Sequence, residues 1–377
     1  MTPPYTLRDL AVYFLRLGTT GFGGPIALVG AMQRDLVDQR GWVSKEDYAE
    51  GLALAQLAPG PLAAQLAMYL GWVRGGTWGA TVVGVAFVLP SFLMVLALSQ
   101  LYVSFGGLPW MQRAFYGVGA AVIAIIARSA WKLAVSTVGQ HPLYRGIFLS
   151  SALWTAWTAS EAVLLFVVAG LLAMVVVGGW RPRGVALAIV PWPWMLTGLR
   201  GPASEDTLGA IAVFFGKAGA FVFGSGLAIV PFLYGGVVQE YGWLDEQQFL
   251  DAVAVAMITP GPVVITVAFI GWLVAGPLGA TVAAAATFFP CWLFTVIPAP
   301  HFRRWNGNPS LKAFVAGVTA AASGAIAGAA FVLGRRSIVD VPTALIAAVC
   351  LLLLVRWKGA SEPVLIVGAA LVGLLLT

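Results

Sequence analysis

Apolar runs about as long as a lipid bilayer is thick recur from one end of the chain to the other. A transmembrane helix needs about 20 mainly apolar residues, and 60% of these 377 residues are hydrophobic while only 10% are charged. No charged, soluble body interrupts the series, as it would in an enzyme that rests on a membrane surface. The sequence therefore predicts an all-α polytopic membrane protein. The candidate segments are 8–33, 47–73, 77–102, 111–135, 144–158, 160–179, 185–199, 208–237, 249–275, 277–298, 311–333, 339–355 and 361–377.

Reactive side chains do not cluster in this sequence. Cys291 and Cys350 lie in separate apolar runs, and His141 and His301 stand singly in connecting segments. No metal-ligand spacing, serine-nucleophile motif or phosphate-binding loop is present. We therefore expect a protein that is not an enzyme and that has no cofactor and no metal. The N-terminal MTPPYTLRDL lacks the features of a secretory signal, so we expect it to be retained.

The chain is a tandem duplication. A shift of 201 residues aligns Phe14 with Phe215 and Pro59-Gly60-Pro61 with Pro260-Gly261-Pro262. After one deletion the shift becomes 200, and it holds as far as Gly117-Val118, which align with Gly317-Val318. One register kept over such a length indicates a repeat architecture. We divide the chain into an N-terminal repeat (1–184), a connecting segment (185–207) and a C-terminal repeat (208–377).

Basic residues suggest that the two repeats face opposite ways. The loop after the first segment carries three basic residues in one repeat, whereas the charged residues of its counterpart are all acidic: Arg34, Arg40 and Lys45 against Glu240, Asp245 and Glu246. Because Lys and Arg in short loops prefer the cytoplasm, we predict an inverted repeat, a plan common among secondary transporters. Segment 185–199 supplies the extra crossing. The first two segments of each repeat are interpreted as re-entrant hairpins, and full spans are the alternative.

Each repeat breaks a helix at membrane depth with Pro-Gly-Pro. The first proline ends a half-helix, the glycine permits a positive φ, and the second proline suits the start of the next half-helix. The first N–H groups of that half-helix, with its dipole, form a site for an anion. A kink that only bends a helix is the alternative. The predicted binding residues are Pro59, Gly60, Pro61, Leu62 and Ala63, with Pro260, Gly261, Pro262 and Val263 in the second copy.

A glycine-rich break precedes each Pro-Gly-Pro motif. The first copy reads "GTTGFGGP" (18–25) and the second "GAFVFGSG" (219–226). We expect half-helix N-termini from both repeats to meet near the bilayer midplane and to share a positive potential. The predicted binding residues are Thr19, Thr20, Gly23, Gly24 and Pro25, with Gly224, Ser225 and Gly226 in the second copy. The alternative for Thr19 and Thr20 is a hydrogen bond back to their own helix.

Ionisable and polar residues inside apolar runs are candidates for an anion path, because they are costly in a bilayer and tend to be functional. Arg16 and Lys217 are repeat partners, so the duplication keeps a cation at this position. The alternative is that both reach to the membrane interface. Gln56 and Thr259 lie within a turn of the breaks. Glu50 and Asp251 are also partners and could couple protons, although we favour solvated residues at a helix start.

The stretches "GTTGFGGPIALVG" and "GWVSKEDYAEGLALAQLAPGPLAAQLAMYLGW", with their second copies, resemble the long, two-domain chromate ion transporter family. The resemblance covers nearly the whole chain. It implies export of chromate from the cytoplasm, with chromate resistance as the result and sulfate as a structural mimic. It also implies that the motif-rich N-terminal half is the more functional one. The C-terminal repeat departs from the pattern, with Met257-Ile258-Thr259 where Gln56-Leu57-Ala58 stands.

The sequence therefore predicts a multi-pass transporter of the cell (inner) membrane that exports chromate, a tetrahedral oxyanion. Two alternatives stay open, a permease for sulfate or another oxyanion and an anion channel. The expected partners are chromate or a sulfate-like oxyanion, the lipid bilayer and, as one option for assembly, a second copy in a homodimer. We expect no nucleic acid partner, because the net charge of +6 is spread over loops and no basic folded module is present.

Overall fold

The computed structural model describes residues 5–22, 24–105, 109–138, 141–158, 163–179, 207–220, 229–302, 308–357 and 361–376. Within these ranges the chain forms fourteen α-helices and no β-strand, which confirms the all-α prediction. The helices are α1 Leu7–Thr20, α2 Gly24–Met32, α3 Lys45–Leu57, α4 Leu62–Phe105, α5 Pro109–Val138, α6 Pro142–Thr158, α7 Val163–Val176, α8 Thr207–Ala220, α9 Ile229–Tyr234, α10 Glu246–Ile258, α11 Thr266–Val296, α12 Pro309–Ser337, α13 Val341–Arg356 and α14 Glu362–Leu376. Segments of π-helix follow α2 and α9, at Gln33–Gln39 and Gly235–Glu240.

Helices α4 and α11 each turn back on themselves. Gly76 and Gly276 adopt φ of 59° and 63°, and non-helical backbone at these points divides α4 into 62–74 and 77–105 and α11 into 266–274 and 277–296. The two parts touch closely, because a Cβ on Gly71 would lie 2.4 Å from the carbonyl oxygen of Gly79. We name the parts α4a, α4b, α11a and α11b. The equivalent position of the two turns confirms the tandem repeat.

The chain also reverses at the helix breaks of the N-terminal repeat. A Cβ on Gly51 of α3 would lie 2.3 Å from Cδ1 of Tyr69 in α4a. In one continuous helix, Gly51 and Tyr69 would be separated by about 27 Å along the helix axis. Upstream, the Tyr13 hydroxyl of α1 donates to Asp35 Oδ2 at 3.2 Å. Both segments therefore fold as helical hairpins, the geometry that a re-entrant segment requires.

The C-terminal repeat folds back in the same way around its first break. The Phe214 ring of α8 stacks on Phe232 of α9 at 5.3 Å between centroids. A Cβ on Gly236 would lie 2.0 Å from Cε2 of Phe214. The connecting segment up to residue 206, with the extra span predicted at 185–199, lies outside the described residues.

Four helical stretches of the described chain are long and apolar enough to cross a membrane, and the first and third of them contain the turns at Gly76 and Gly276: Leu62–Phe105, Trp110–Lys132, Val263–His301 and Pro309–Arg335. Shorter apolar helices lie at Leu165–Val176, Thr207–Ala220, Val341–Arg356 and Glu362–Leu376. Several candidate segments of the sequence are thus hairpins or short helices, since glycine and proline breaks divide the apolar runs.

The last helices of each repeat pack on the other repeat. Helix α5 packs against α13 and α14, while its repeat partner α12 packs against α6 and α7. The contacts are reciprocal. A Cβ on Gly117 would lie 2.0 Å from the carbonyl oxygen of Ala369, and one on Gly317 would lie 2.5 Å from that of Ala169. Because a contact and its exchanged copy both occur, the repeats are related by an approximate two-fold axis, as the subunits of an isologous dimer are.

Contacts of Gly117 with Ala369 hold the two repeats together, so we expect Gly117→Ala to destabilise the protein. A methyl group here meets a backbone carbonyl that cannot move alone, and overpacking of this kind costs about 1–3 kcal/mol. The matched control is Gly146→Ala on α6, where a Cβ meets nothing within 4 Å. Thermal unfolding in detergent measures both variants. Equal unfolding midpoints for Gly117→Ala and Gly146→Ala would show that the backbone at Gly117 has room for a methyl group beside Ala369.

Candidate functional site

The Pro-Gly-Pro turn of the N-terminal repeat joins the C-terminus of α3 to the N-terminus of α4a. The Ala58 N–H closes the last turn of α3 by donating to Leu54 O at 2.8 Å, and Gly60 has a φ of 142°. Helix α4 then begins at Leu62, one residue after Pro61, the predicted first position. Its first-turn N–H groups have no carbonyl partner within the helix, as at any helix start. Pro59 and Leu62 are half-buried, whereas Gly60, Pro61 and Ala63 are buried, so this turn reaches the protein surface only at its two ends.

Gln65 braces this turn, and the sequence analysis missed it. Its side chain is fully buried, and Nε2 donates to the Pro59 carbonyl at 2.7 Å. Gln65 Oε1 has no hydrogen-bond partner. A Cβ on Gly60 would lie 2.5 Å from Gln65 Nε2, so Gly60 is required for space as well as for its φ. The one signal in the sequence was a single amide inside an otherwise apolar half-helix.

The Pro-Gly-Pro turn of the C-terminal repeat packs against the upstream break of the N-terminal repeat. Gly261, with a φ of 99°, donates its N–H to Gly21 O at 2.9 Å. A Cβ on Gly261 would lie 2.0 Å from Ser91 Oγ of α4b. The two repeats therefore meet at their helix breaks, through one N–H and one carbonyl.

The second turn is enclosed, unlike the first. Its predicted binding residues are all buried: Thr259, Pro260, Gly261, Pro262 and Val263. The Thr259 hydroxyl donates to Val255 O at 2.6 Å, within its own helix. The next turn is a 3₁₀-helix, Val263–Ile265, before α11 begins. The surfaces at the two Pro-Gly-Pro turns are thus different, and the N-terminal one is the more open.

Arg16 lies on an exposed face of α1 together with Val12, Leu15, Thr19 and Thr20. The two threonine hydroxyls donate to carbonyls of the preceding turn, at 2.7 Å to Leu15 O and 2.9 Å to Arg16 O. That is the alternative given above for these hydroxyls, and their protons are used within α1 and not offered to an oxyanion.

The other predicted residues have mixed placements. Lys217 is half-buried at the matching position of α8, and Gln56 is exposed at the end of α3. Gly24 begins α2 with a φ of 74°, and Pro25 follows it. Four predicted residues lie outside the described chain: Gly23, Gly224, Ser225 and Gly226.

Asp251 is buried, which corrects the interpretation that we favoured from the sequence. It is 3% exposed and lies in the middle of α10 instead of at a solvated helix start. Tyr102 of α4b donates to its Oδ2 at 2.8 Å, and Gln247 Nε2 donates to its Oδ1 at 2.8 Å. Its repeat partner Glu50 is half-buried. Over the described ranges no group of three His, Cys, Asp or Glu side chains is placed to hold a metal ion.

The structure thus contains two homologous repeats whose broken helices meet. Comparison of the sequence with known protein families identifies the family to which the chain belongs. The family profile described as "Chromate transporter" matches residues 8–179 and again 209–374. The chain belongs to the chromate transporter family. The two matches correspond to the two repeats and leave the connecting segment between them.

Several relatives match over nearly the full length. A chromate transport protein of Cupriavidus metallidurans is 62% identical over 380 residues, covering 99% of this chain and 94% of that protein. A probable chromate transport protein of Synechococcus elongatus is 57% identical, covering 99% and 96%. A chromate transport protein of Pseudomonas aeruginosa is 30% identical, covering 98% and 92%. No solved structure matches the chain.

Proposed function

We propose that this protein exports chromate from the cytoplasm across the inner membrane and thereby confers chromate resistance. The family membership and the printed names of the relatives support the cargo. The observation that carries the proposal is the open Pro-Gly-Pro turn of the N-terminal repeat, where α4 begins at a half-buried position. A helix start in an apolar surrounding presents N–H donors and positive potential to a tetrahedral oxyanion.

The proposed anion path follows the polar residues of the N-terminal repeat. Arg16 attracts the anion along the exposed face of α1, and Gln56 donates a hydrogen bond beside the turn. The N–H groups of Leu62 and Ala63 bind the oxygens. Lys217 and the C-terminal turn form the pseudo-symmetric counterpart. Because that turn is enclosed and its Gly261 N–H is already bonded to Gly21, it serves the joint between the repeats, and we propose that cargo binds mainly at the N-terminal turn.

We also propose that the repeats are inverted in the membrane. Residues Phe148 and Ala152 of α6 lie against Gly324 and Gly328 in the same order, so α6 and α12 run parallel. A short connection joins α5 to α6, so consecutive spans run in opposite directions. Helix α12, the repeat partner of α5, then runs opposite to α5. These directions support the inverted plan that the loop charges predicted.

The membrane potential alone can drive this export. Moving one charge through 100 mV is worth about 2.3 kcal/mol, so expelling a dianion from an inside-negative cell gains about 4.6 kcal/mol per 100 mV. Export therefore needs no further energy source, whereas uptake of the same dianion would require coupled cations.

Labelled chromate flux in everted membrane vesicles tests the proposal. We expect saturable chromate uptake into the vesicles, weak competition by sulfate, and loss of flux when the potential is collapsed. Equal or better transport of sulfate would make the protein a sulfate permease. Flux that does not saturate, with single-channel conductance in planar bilayers, would make it an anion channel. Vesicles without the protein are the control.

A further inference from the structure

Asp251 is a carboxyl group buried at the joint between the two repeats. It belongs to α10 of the C-terminal repeat, while the hydroxyl on its Oδ2 comes from Tyr102 in the N-terminal repeat. The Tyr102 ring packs edge-on against Phe115 of α5 and Phe269 of α11, at 5.6 and 5.2 Å between centroids. The hydrogen bond therefore links the repeats inside an aromatic, water-poor contact.

The partners of Asp251 are neutral. Tyr102 and Gln247 occupy its two oxygens, and no Lys or Arg of the described chain is within ion-pair distance of it. Of the titratable groups on and around α10, Tyr102 and the helix-capping Asp245 act on it, and Asp245 adds negative charge. Other charged or titratable side chains lie on α10 and on the elements packed against it, and none of them is hydrogen-bonded to Asp251. They include Glu246 on α10, Arg74 on α4, Arg113, Tyr116, Arg128 and Lys132 on α5, Glu362 on α14 and Glu240 in the π-helix. A carboxylate that is removed from water without a countercharge is unfavourable, so burial favours the neutral acid.

This arrangement occurs in one repeat alone. The repeat partners of Asp251, Gln247 and Tyr102 are Glu50, Glu46 and Phe302. The N-terminal repeat thus has a second carboxylate in place of the amide and lacks the hydroxyl altogether. Glu50 is also half-buried where Asp251 is 3% exposed. Both repeats therefore have a carboxyl group at this position, but only Asp251 is enclosed and has the neutral partners Tyr102 and Gln247.

We infer that Asp251 is a proton-binding site that takes up one proton when the two repeats close on it and releases it when they part. In the closed contact the neutral acid stays hydrogen-bonded, because a tyrosine hydroxyl can accept from a carboxylic acid as well as donate to a carboxylate. When Tyr102 moves away, water reaches the carboxyl group, its O–H bond breaks, and the proton goes to solvent. Low pH therefore stabilises the closed contact and high pH the parted one.

The consequence for transport rests on the proposed function. Chromate movement would require the repeats to part and close in each transport cycle. Because Asp251 binds a proton in the closed state and releases it in the parted state, the rate of the cycle then depends on pH. We therefore expect flux through the wild-type protein to change several-fold between about pH 6 and pH 8. Asp251→Asn keeps the shape and the acceptor oxygen but cannot titrate. Its flux should therefore lose the part of the pH dependence that Asp251 contributes and keep only the part that comes from protonation of chromate itself, which is the same for both proteins.

The matched control is Glu50→Gln, the same change at the repeat partner, which should keep the wild-type pH profile. Infrared spectroscopy of the purified protein gives a readout that needs no transport. A protonated-carboxyl band should vanish in Asp251→Asn, and in Tyr102→Phe it should persist to higher pH, because the carboxylate has lost a donor.

The outcomes separate cleanly. A band that is unchanged in Asp251→Asn, or a pH profile that Asp251→Asn leaves intact, would overturn the proton site. A band assigned to Asp251 in a protein that moves no chromate at any pH would leave the proton site standing and reject the proposed export instead. If Asp251→Asn fails to fold, the persistence of the band in Tyr102→Phe decides, and an unshifted band would overturn the proton site.

Discussion

Chromate efflux is expected to fall by about ten-fold or more when Arg16 is replaced by Gln, a loss of at least about 1.4 kcal/mol in the interaction with the anion. Arg16 is one helical turn before the break at Gly21, on the exposed face of α1 that also carries Thr19 and Thr20. A cation near an apolar surrounding attracts an anion far more strongly than one in bulk water. Growth on chromate and vesicle flux measure the effect, with immunoblots of the membrane fraction to show that the protein is present.

The matched control for Arg16 is Arg8→Gln, which removes the same charge from an exposed position in the first turn of the same helix. Arg8→Gln should keep nearly wild-type flux, and Arg16→Lys should keep most of it. Lys217→Gln should have a smaller effect than Arg16→Gln, because the C-terminal turn is enclosed. Equal flux in Arg16→Gln and Arg8→Gln would show that Arg16 only reaches to the membrane interface.

The sequence was informative about the fold wherever a local signal was repeated. The two copies of Pro-Gly-Pro and the register between them predicted helix breaks at the right residues, because proline and glycine act on the backbone within one turn. It could not show that α5 packs on α13 and α14 of the other repeat. All these helices are apolar, and in a lipid environment a hydrophobic pattern does not choose neighbours. The choice depends on small residues such as Gly117 and Gly317, whose role appears only in three dimensions.

The sequence predicted the helix breaks of the candidate site but not the side-chain contacts around them. The start of α4 followed from the motif to within one residue, whereas in the second copy a 3₁₀ turn separates Pro262 from the start of α11 at Thr266. Gln65 was missed because an amide four residues into a half-helix gives no sequence signal for the Pro59 carbonyl that it binds. Asp251 was misjudged for a related reason. Its partner Tyr102 is 149 residues away and in the other repeat, so the burial of the carboxyl group was not visible from its own helix.

Gly261→Ala is expected to cost about 3 kcal/mol or more and to remove most of the folded, transporting protein. Two effects add. The residue has a φ of 99°, which L side chains rarely adopt, and its Cβ would lie 2.0 Å from Ser91 Oγ. Relief of that clash moves the turn and weakens the hydrogen bond of 2.9 Å from Gly261 to Gly21 O, which joins the two repeats. Size-exclusion profiles, thermal unfolding and vesicle flux measure the loss.

Gly276→Ala separates the two effects, because Gly276 has a φ of 63° but a Cβ there meets nothing within 4 Å. It should cost only the strain of holding a non-glycine residue in a sparsely populated φ/ψ region, about 1–3 kcal/mol. Adding Ser91→Gly to Gly261→Ala removes the clash and should recover part of the stability while the strain remains. If Gly261→Ala were as stable and active as Gly276→Ala, the turn would have room to move. The contact between the helix breaks, from Gly261 N–H to Gly21 O, would then not be a rigid one.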